Sequence, residues 1–316
     1  MINIVCSTDH NYIMQTGVMI KSLCINNQNE DLDIYILIDK TVDAEKQQKL
    51  RNTITSNKHN IVFLEVPDDA FDGFPGIGKY SVHVSQASYY RLVMAQLLPE
   101  NVEKVIYLDV DIVIRHSIRD LWTTNIENFA IGCIVDFVES FHKTRVKYDP
   151  AKGYFNAGIL LINLKYWREH NIQEKFLSFM ANNADLILCH DQDVLNYVLC
   201  DSKKNIPITY NCQTYAYLQH HLMEIDIDKY GEEIDNTICD PIILHYCTGD
   251  KPWIFGCKHP LRKEWFKYLA MTEWKEFRTK DPKTSLSHKI GKAFRKCLGL
   301  KHSDEKRWVN LKKIKK

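Results

Sequence analysis

No stretch of roughly 18 uninterrupted apolar residues occurs in this chain, which argues against a transmembrane helix. The amino terminus, MINIVCSTDHNY, lacks a basic leader and has an apolar run too short for a signal peptide, so a cytosolic protein is expected. None of the ten cysteines forms a C-x-x-C pair, which argues against a structural zinc site of the usual spacing. They fall singly, mostly inside apolar runs, and read as free buried thiols in a reducing compartment. There is no internal repeat and no long low-complexity segment. A charge excess is missing too, since 41 Lys/Arg against 40 Asp/Glu give +1. That balance conceals a split: residues 283–316 hold twelve of the basic and two of the acidic residues, a segment of +10 beside a body of −9.

What is present is a chain of 316 residues, 45% hydrophobic and 26% charged, long enough for one large α/β domain with an appendage. Strand-length apolar runs recur at 2–6, 32–38, 60–66, 105–108, 112–114, 129–135 and 158–164. Several are rich in Ile and Val without polar alternation, the mark of strands buried on both faces of a mainly parallel sheet. Helical patterns at 11–25, 43–56 and 86–98 alternate with them, the last ending before Pro99 as a following proline requires. Residues 165–200 also read as helical. The expected fold is therefore an open α/β sheet flanked by helices, whose ligand crevice lies beyond the carboxyl ends of the strands.

Two strand ends carry polar clusters there. The first strand runs into Ser7-Thr8-Asp9-His10-Asn11-Tyr12, and the fourth into Asp109-Val110-Asp111 within an otherwise apolar stretch. Two like charges in an apolar setting need a counter-charge. In extended chain both carboxylates face one side and can share a divalent cation; the competing reading is helix-capping or Arg-paired aspartates. His245, closing the apolar run 241–244, is a candidate third ligand or a structural histidine. Gly249 and Lys251 follow it, offering close backbone approach and a point charge for a phosphate. Nitrogen ligation favours Mn²⁺, with Mg²⁺ as the alternative ion. The aromatics Tyr210, Tyr215, Tyr217, Tyr230, Tyr246 and Trp253 read as a wall for a sugar ring or as ordinary packing.

Taken in order, Ser7-x-Asp9-x-Asn11-Tyr12, Tyr89-Tyr90-Arg91-Leu92, Tyr107-Leu108-Asp109-Val110-Asp111, Phe155-Asn156-Ala157-Gly158, His190-Asp191-Gln192-Asp193 and His245-Tyr246 to Lys251-Pro252-Trp253 resemble glycosyltransferase family 8 over residues 1 to about 265. The resemblance implies a GT-A fold with one nucleotide-binding open mixed sheet, a UDP-sugar donor, Mn²⁺, and transfer of glucose or galactose with retention. By that resemblance Asp109, Asp111 and His245 hold the metal, and Ser7, Asp9, Asn11 and Tyr12 hold uracil and ribose. Arg91, Val110, Gly249 and Lys251 attend the donor, with Lys251 on the diphosphate. Asn156, Asp191 and Gln192 surround the transferred hexose, and Asp191 and Gln192 are the candidate catalytic residues. Thr248 stands where family members usually carry glycine, with Gly249 one later, so altered backbone contacts to the diphosphate are expected.

The catalytic domain is expected to span 1–265 and a basic helical tail 266–316. In the tail Leu286, Ile290, Ala293, Phe294, Cys297 and Leu298 recur at helical spacing opposite Lys289, Lys292, Arg295, Lys296 and Lys301. Trp308, Val309, Leu311 and Ile314 form a second apolar cluster. This pattern predicts attachment to an anionic membrane at the inner face of the cell, which suits an oligosaccharide or lipid-linked glycan acceptor; no nucleic-acid motif is present. The other functions weighed are a metal-dependent sugar nucleotidyltransferase and a non-catalytic sugar-nucleotide-binding module.

Overall fold

A computed structural model describes residues 1–71, 86–219, 223–280 and 308–311. The apolar runs form ten strands among those residues: β1 (Ile2–Thr8), β2 (Leu32–Ile38), β3 (His59–Glu65), β4 (Lys104–Leu108), β5 (Ile112–Ile114), β6 (Ile131–Val135), β7 (Phe155–Asn163), β8 (Lys203–Asn205), β9 (Cys212–Gln213) and β10 (Ile243–His245). Seven make a mixed sheet in the order β3-β2-β1-β4-β7-β6-β8, and three make a small sheet, β5-β10-β9. Strands β1 to β4 run parallel, whereas β7 is antiparallel to both β4 and β6. The mainly parallel reading thus holds for one half of the sheet only. Alternating residues enter two cores: Ile4, Ile34, Ile36 and Ile106 pack on one face, and Val5, Tyr35, Leu37 and Tyr107 on the other. Each such fully buried aliphatic side chain contributes roughly 1.5–3 kcal/mol, so a sheet covered on both faces selects these Ile/Val runs.

This order fixes where a ligand can sit. The chain moves outward from β1 through β2 to β3, then returns to place β4 on the other side of β1. The carboxyl ends of β1 and β4 therefore flank a topological switch point, where open α/β sheets form their crevice. Because β7 is antiparallel to β4, its beginning lies at that same end, with the Asp109 N–H donating to the Gly158 carbonyl at 2.8 Å. Antiparallel pairing of β10 with β5 sets His245 opposite Ile112, directly after Asp111.

Three expectations need correction. The helix expected over 86–98 is a 3₁₀ segment, Gln86–Leu92, followed by a single turn, Met94–Leu97; five of the seven residues in the first part are buried, so packing overrides helical propensity. Leu98 is extended before Pro99, as expected. Asp109-Val110-Asp111 is a bend where the chain leaves one sheet for the other, rather than part of an extended strand. The division at 265 also falls inside a helix, Arg262–Leu269, whose Trp265, Tyr268 and Leu269 belong to the core. Trp274 packs so closely on Gly17 that a Cβ there would lie 2.3 Å from its ring, and Phe277 packs against the same core. The body therefore runs past 265.

The amphipathic helix expected from Leu286 to Lys301 lies outside the described residues, as does Ile314. Trp308, Val309 and Leu311, however, pack against the body: the Val309 N–H donates to the Tyr217 carbonyl at 2.8 Å and the Trp308 ring meets His259 edge-on. Among the described residues no helix is long and apolar enough to cross a membrane. The nine described cysteines are free thiols.

Candidate active site

A cavity of about 570 Å³ opens at the switch point. Of the expected site residues it brings together Ser7, Asp9, Tyr12, Arg91, Asp109, Val110, Asp111, Asn156, Asp191, Gln192, His245 and Lys251. Asn11 and Gly249 do not line it. Asn11 instead closes the turn through its N–H, which donates to Asp9 Oδ1 at 2.8 Å. Gly249 is exposed, and a Cβ there would touch nothing. Tyr210, Tyr217 and Tyr246 are core residues, so for them the packing reading holds. Trp253 meets the ring of Tyr12 edge-on, joining the loop of Lys251 to the first strand's polar end.

At the centre stand Asp109, Asp111 and His245, whose potential ligand atoms all lie within 4.8 Å of one another. His245 Nε2 is 3.2 Å from Asp111 Oδ1, yet that buried oxygen has no hydrogen-bond partner. The other oxygen, Oδ2, accepts from Lys251 Nζ, which also donates to the Tyr246 carbonyl. Burial alone would raise the Asp111 pKa, but the Lys251 ammonium outweighs it and holds the carboxyl below its ordinary range. Asp109 moves the opposite way: burial, aided by Asp111, pushes it up against the pull of Arg91. An orphaned carboxylate oxygen, a second carboxylate and an imidazole nitrogen in one cradle match the donor set of a divalent cation.

The Arg-paired alternative is realised as well. Arg91, 4% exposed, grips Asp109 Oδ1 at 2.7 Å and Asp191 Oδ2 at 2.9 Å, donates to the Ala157 carbonyl and lies over the Tyr107 ring. It orders two carboxylates while still lining the cavity. Burial raises Asp191 to about 6 despite Arg91.

Gln192 is equally fixed. Its Oε1 accepts from the Ala157 N–H at 3.0 Å and its Nε2 donates to Asp136 Oδ2 at 2.9 Å. Asp193, the fourth residue of that motif, faces away from the cavity. It accepts from Arg145, from the Tyr154 hydroxyl and from the N–H groups of Leu188 and Cys189. Although His142, Cys189 and Asp193 also cluster, this carboxylate is fully engaged, and the group anchors the turn that presents Asp191 and Gln192. Burial pushes the cavity thiols of Cys189 and Cys247 up to about 11 and 12, which leaves them protonated.

Sequence reasoning missed Asp136, which holds Gln192 and Asn156, and Asn211, which accepts from His245 Nδ1. It also missed why position 158 is glycine: a Cβ there would lie 2.3 Å from His245 Cε1 and 3.0 Å from Asp109 Oδ2. Tyr107 holds Ser7 through a 2.7 Å hydroxyl contact. The Tyr107 and Gly158 signals were available inside motifs already recognised, whereas nothing in local spacing links Asn211 to a histidine 34 residues later.

A mixed sheet with a carboxylate-rich crevice at its switch point fits a GT-A glycosyltransferase fold, and the likeness to known proteins shows that fold. The model described as glycosyl transferase family 8 matches residues 3–256, and the chain belongs to that family. It is 30% identical to General stress protein A of Bacillus subtilis strain 168, over 86% of this chain and 94% of that protein. It is 28% identical to the lipopolysaccharide 1,2-glucosyltransferase of Escherichia coli K12, over 91% and 83%. Among solved structures it resembles the galactosyltransferase LgtC in complex with donor and acceptor sugar analogues, with a TM-score of 0.76 and 25% identity over 89% of this chain and 98% of that one. Family membership sets aside the nucleotidyltransferase reading.

Proposed function

We propose that the chain is a retaining hexosyltransferase that moves glucose or galactose from a UDP-sugar to a saccharide acceptor, in lipopolysaccharide or another cell-surface glycan, with Mn²⁺ held by Asp109, Asp111 and His245. The observation that carries this is the orphaned Oδ1 of Asp111, facing His245 beside Asp109, on a carboxylate whose other oxygen meets Lys251. A divalent cation bound there supplies positive charge for the departing diphosphate.

The protein's own groups supply the rest. Lys251 stays cationic because Asp111 offsets the effect of burial, and donor binding redirects its ammonium to the diphosphate. Ser7, Asp9 and Tyr12 bind the nucleoside end, and Asn156 and Gln192 line the hexose. Retention follows from front-face attack: the bond from the anomeric carbon to the phosphate oxygen breaks, the acceptor oxygen bonds to the same face, and its proton passes to the departing phosphate. Gln192 carries no charge and is a poor nucleophile, and Asp191 is held by Arg91. Both are better suited to stabilising a cationic sugar than to bonding with it. In a screen of UDP-sugars, UDP release should occur with UDP-glucose or UDP-galactose and fall to background when EDTA replaces Mn²⁺. Equal release in EDTA would refute the assignment.

The membrane proposal rests on Lys289, Lys292, Arg295, Lys296 and Lys301, since Trp308, Val309 and Leu311 are occupied by the body. Each lysine or arginine near an anionic surface is worth about 1 kcal/mol. Changing these five to Glu should abolish flotation with phosphatidylglycerol vesicles while leaving UDP release in solution intact; unchanged flotation would discard the idea. Charge reversal is a cleaner test than truncation at 282, which would also strip the docked Trp308–Leu311 segment.

A further inference from the structure

His245 can serve the proposed centre only if its Nε2 presents a lone pair, and the surrounding hydrogen bonds decide whether it does. They can be followed from a donor that cannot be reversed. The backbone N–H of Gly158 donates to the Asn156 side chain at 3.0 Å, so the atom it meets is Oδ1. That same oxygen lies 2.9 Å from the side chain of Asn211, which must therefore offer its Nδ2. The Asn211 Oδ1 is left facing His245 Nδ1 at 2.9 Å. Because an amide oxygen only accepts, the histidine carries its proton on Nδ1. In the neutral imidazole Nε2 is then the unprotonated nitrogen, aimed at the orphaned Asp111 oxygen.

We infer that Asn211 is a positioning residue that fixes the tautomer and ring orientation of His245 for metal ligation, and that it does so through an amide relay polarised by the Gly158 N–H. All three side chains are buried, with Asn211 and His245 0% and 3% exposed, so water has little access to replace a missing partner. The relay continues beyond Asn156, whose Nδ2 donates to Asp136 Oδ2 at 3.1 Å, the oxygen that also receives Gln192. The same chain of bonds thus orients a ligand of the metal and a residue at the sugar. This inference rests on the metal-centre reading above.

The test uses the full chain with Mn²⁺ alone as probe, measuring free ion by electron paramagnetic resonance, together with ¹⁵N spectra of the imidazoles in metal-free protein. Asn211→Ala should weaken Mn²⁺ binding about ten- to a hundred-fold. Asn211→Asp, which keeps an oxygen facing Nδ1 but loses the donor to Asn156 Oδ1, should recover part of that loss. Without metal, His245 should be the Nδ1–H tautomer in the wild type and in Asn211→Asp, and should shift toward Nε2–H in Asn211→Ala. If the wild type binds Mn²⁺ and Asn211→Ala binds it equally well, the inference is overturned. A lowered melting temperature with unchanged tautomer and affinity overturns it equally, as does an Nε2–H tautomer in the wild type. Failure of the wild type to bind Mn²⁺ would refute the metal reading instead, and the tautomer spectra would still judge Asn211. Should Asn211→Ala not fold, the wild-type tautomer and the affinity of Asn211→Asp decide.

Discussion

Asp111→Asn is expected to lower kcat/KM roughly 10³-fold or more, because losing a metal ligand forfeits several kcal/mol of charge stabilisation on the leaving diphosphate. Relief of repulsion between two carboxylates would by itself make this change nearly free of structural cost. The structure reverses that expectation. Lys251 holds Asp111 below the ordinary carboxylate range, so its ionised form stabilises the metal-free fold. A depressed folded-state pKa contributes stability that is present above the unfolded value near 4 and disappears as pH falls. Metal-free Asp111→Asn should therefore melt below the wild type at pH 7, by about 1–3 kcal/mol for a buried partner left unpaired, with the gap closing toward pH 3. Thermal melts across that range check the sign; a variant as stable as the wild type at pH 7 would contradict the Lys251 pairing. Donor turnover at or near the wild-type rate would remove Asp111 from the metal site.

The second large effect is expected at a residue with no side chain. In Gly158→Ala the new Cβ would overlap His245 Cε1 and crowd Asp109 Oδ2. His245 cannot yield without breaking its bond to Asn211, and Asp109 is tied by Arg91 and by its own N–H to the Gly158 carbonyl. A displacement near 1 Å at a catalytic centre costs about 10²-fold in rate, and overpacking a filled interior costs about 1–3 kcal/mol. Gly158→Ala should thus lose about a hundred-fold in kcat/KM and in Mn²⁺ affinity together. If affinity stays intact while the rate falls, the alanine acts elsewhere than on the ligand cradle.

These two residues illustrate what the sequence could and could not reveal. The Ile/Val runs of β1, β2 and β4 were legible because burial on both faces leaves no polar alternation, and Asp109 and Asp111 stood out because charge is costly in such a run. The partner of each charge was not legible. Arg91, expected near the donor, also clamps Asp109 and Asp191, a relation created only when the 3₁₀ segment packs beside β1 and the helix that carries Asp191. Asn211 meets His245 because β9 and β10 pair in parallel, which no local pattern announces. Trp308 and Val309 share the look of a membrane-seeking cluster, but an apolar side chain carries no label for the surface that will cover it; here the body does.

The central claim is that Asp109, Asp111 and His245 form the metal centre of a retaining UDP-hexose transferase. Its most direct test is the anomeric configuration of the sugar first released from UDP-hexose by the Mn²⁺-loaded protein, read by NMR after an EDTA quench and before mutarotation. The account predicts the α-anomer, formed only with metal and absent from Asp111→Asn; a β-anomer, or the same α product formed in EDTA, would contradict it.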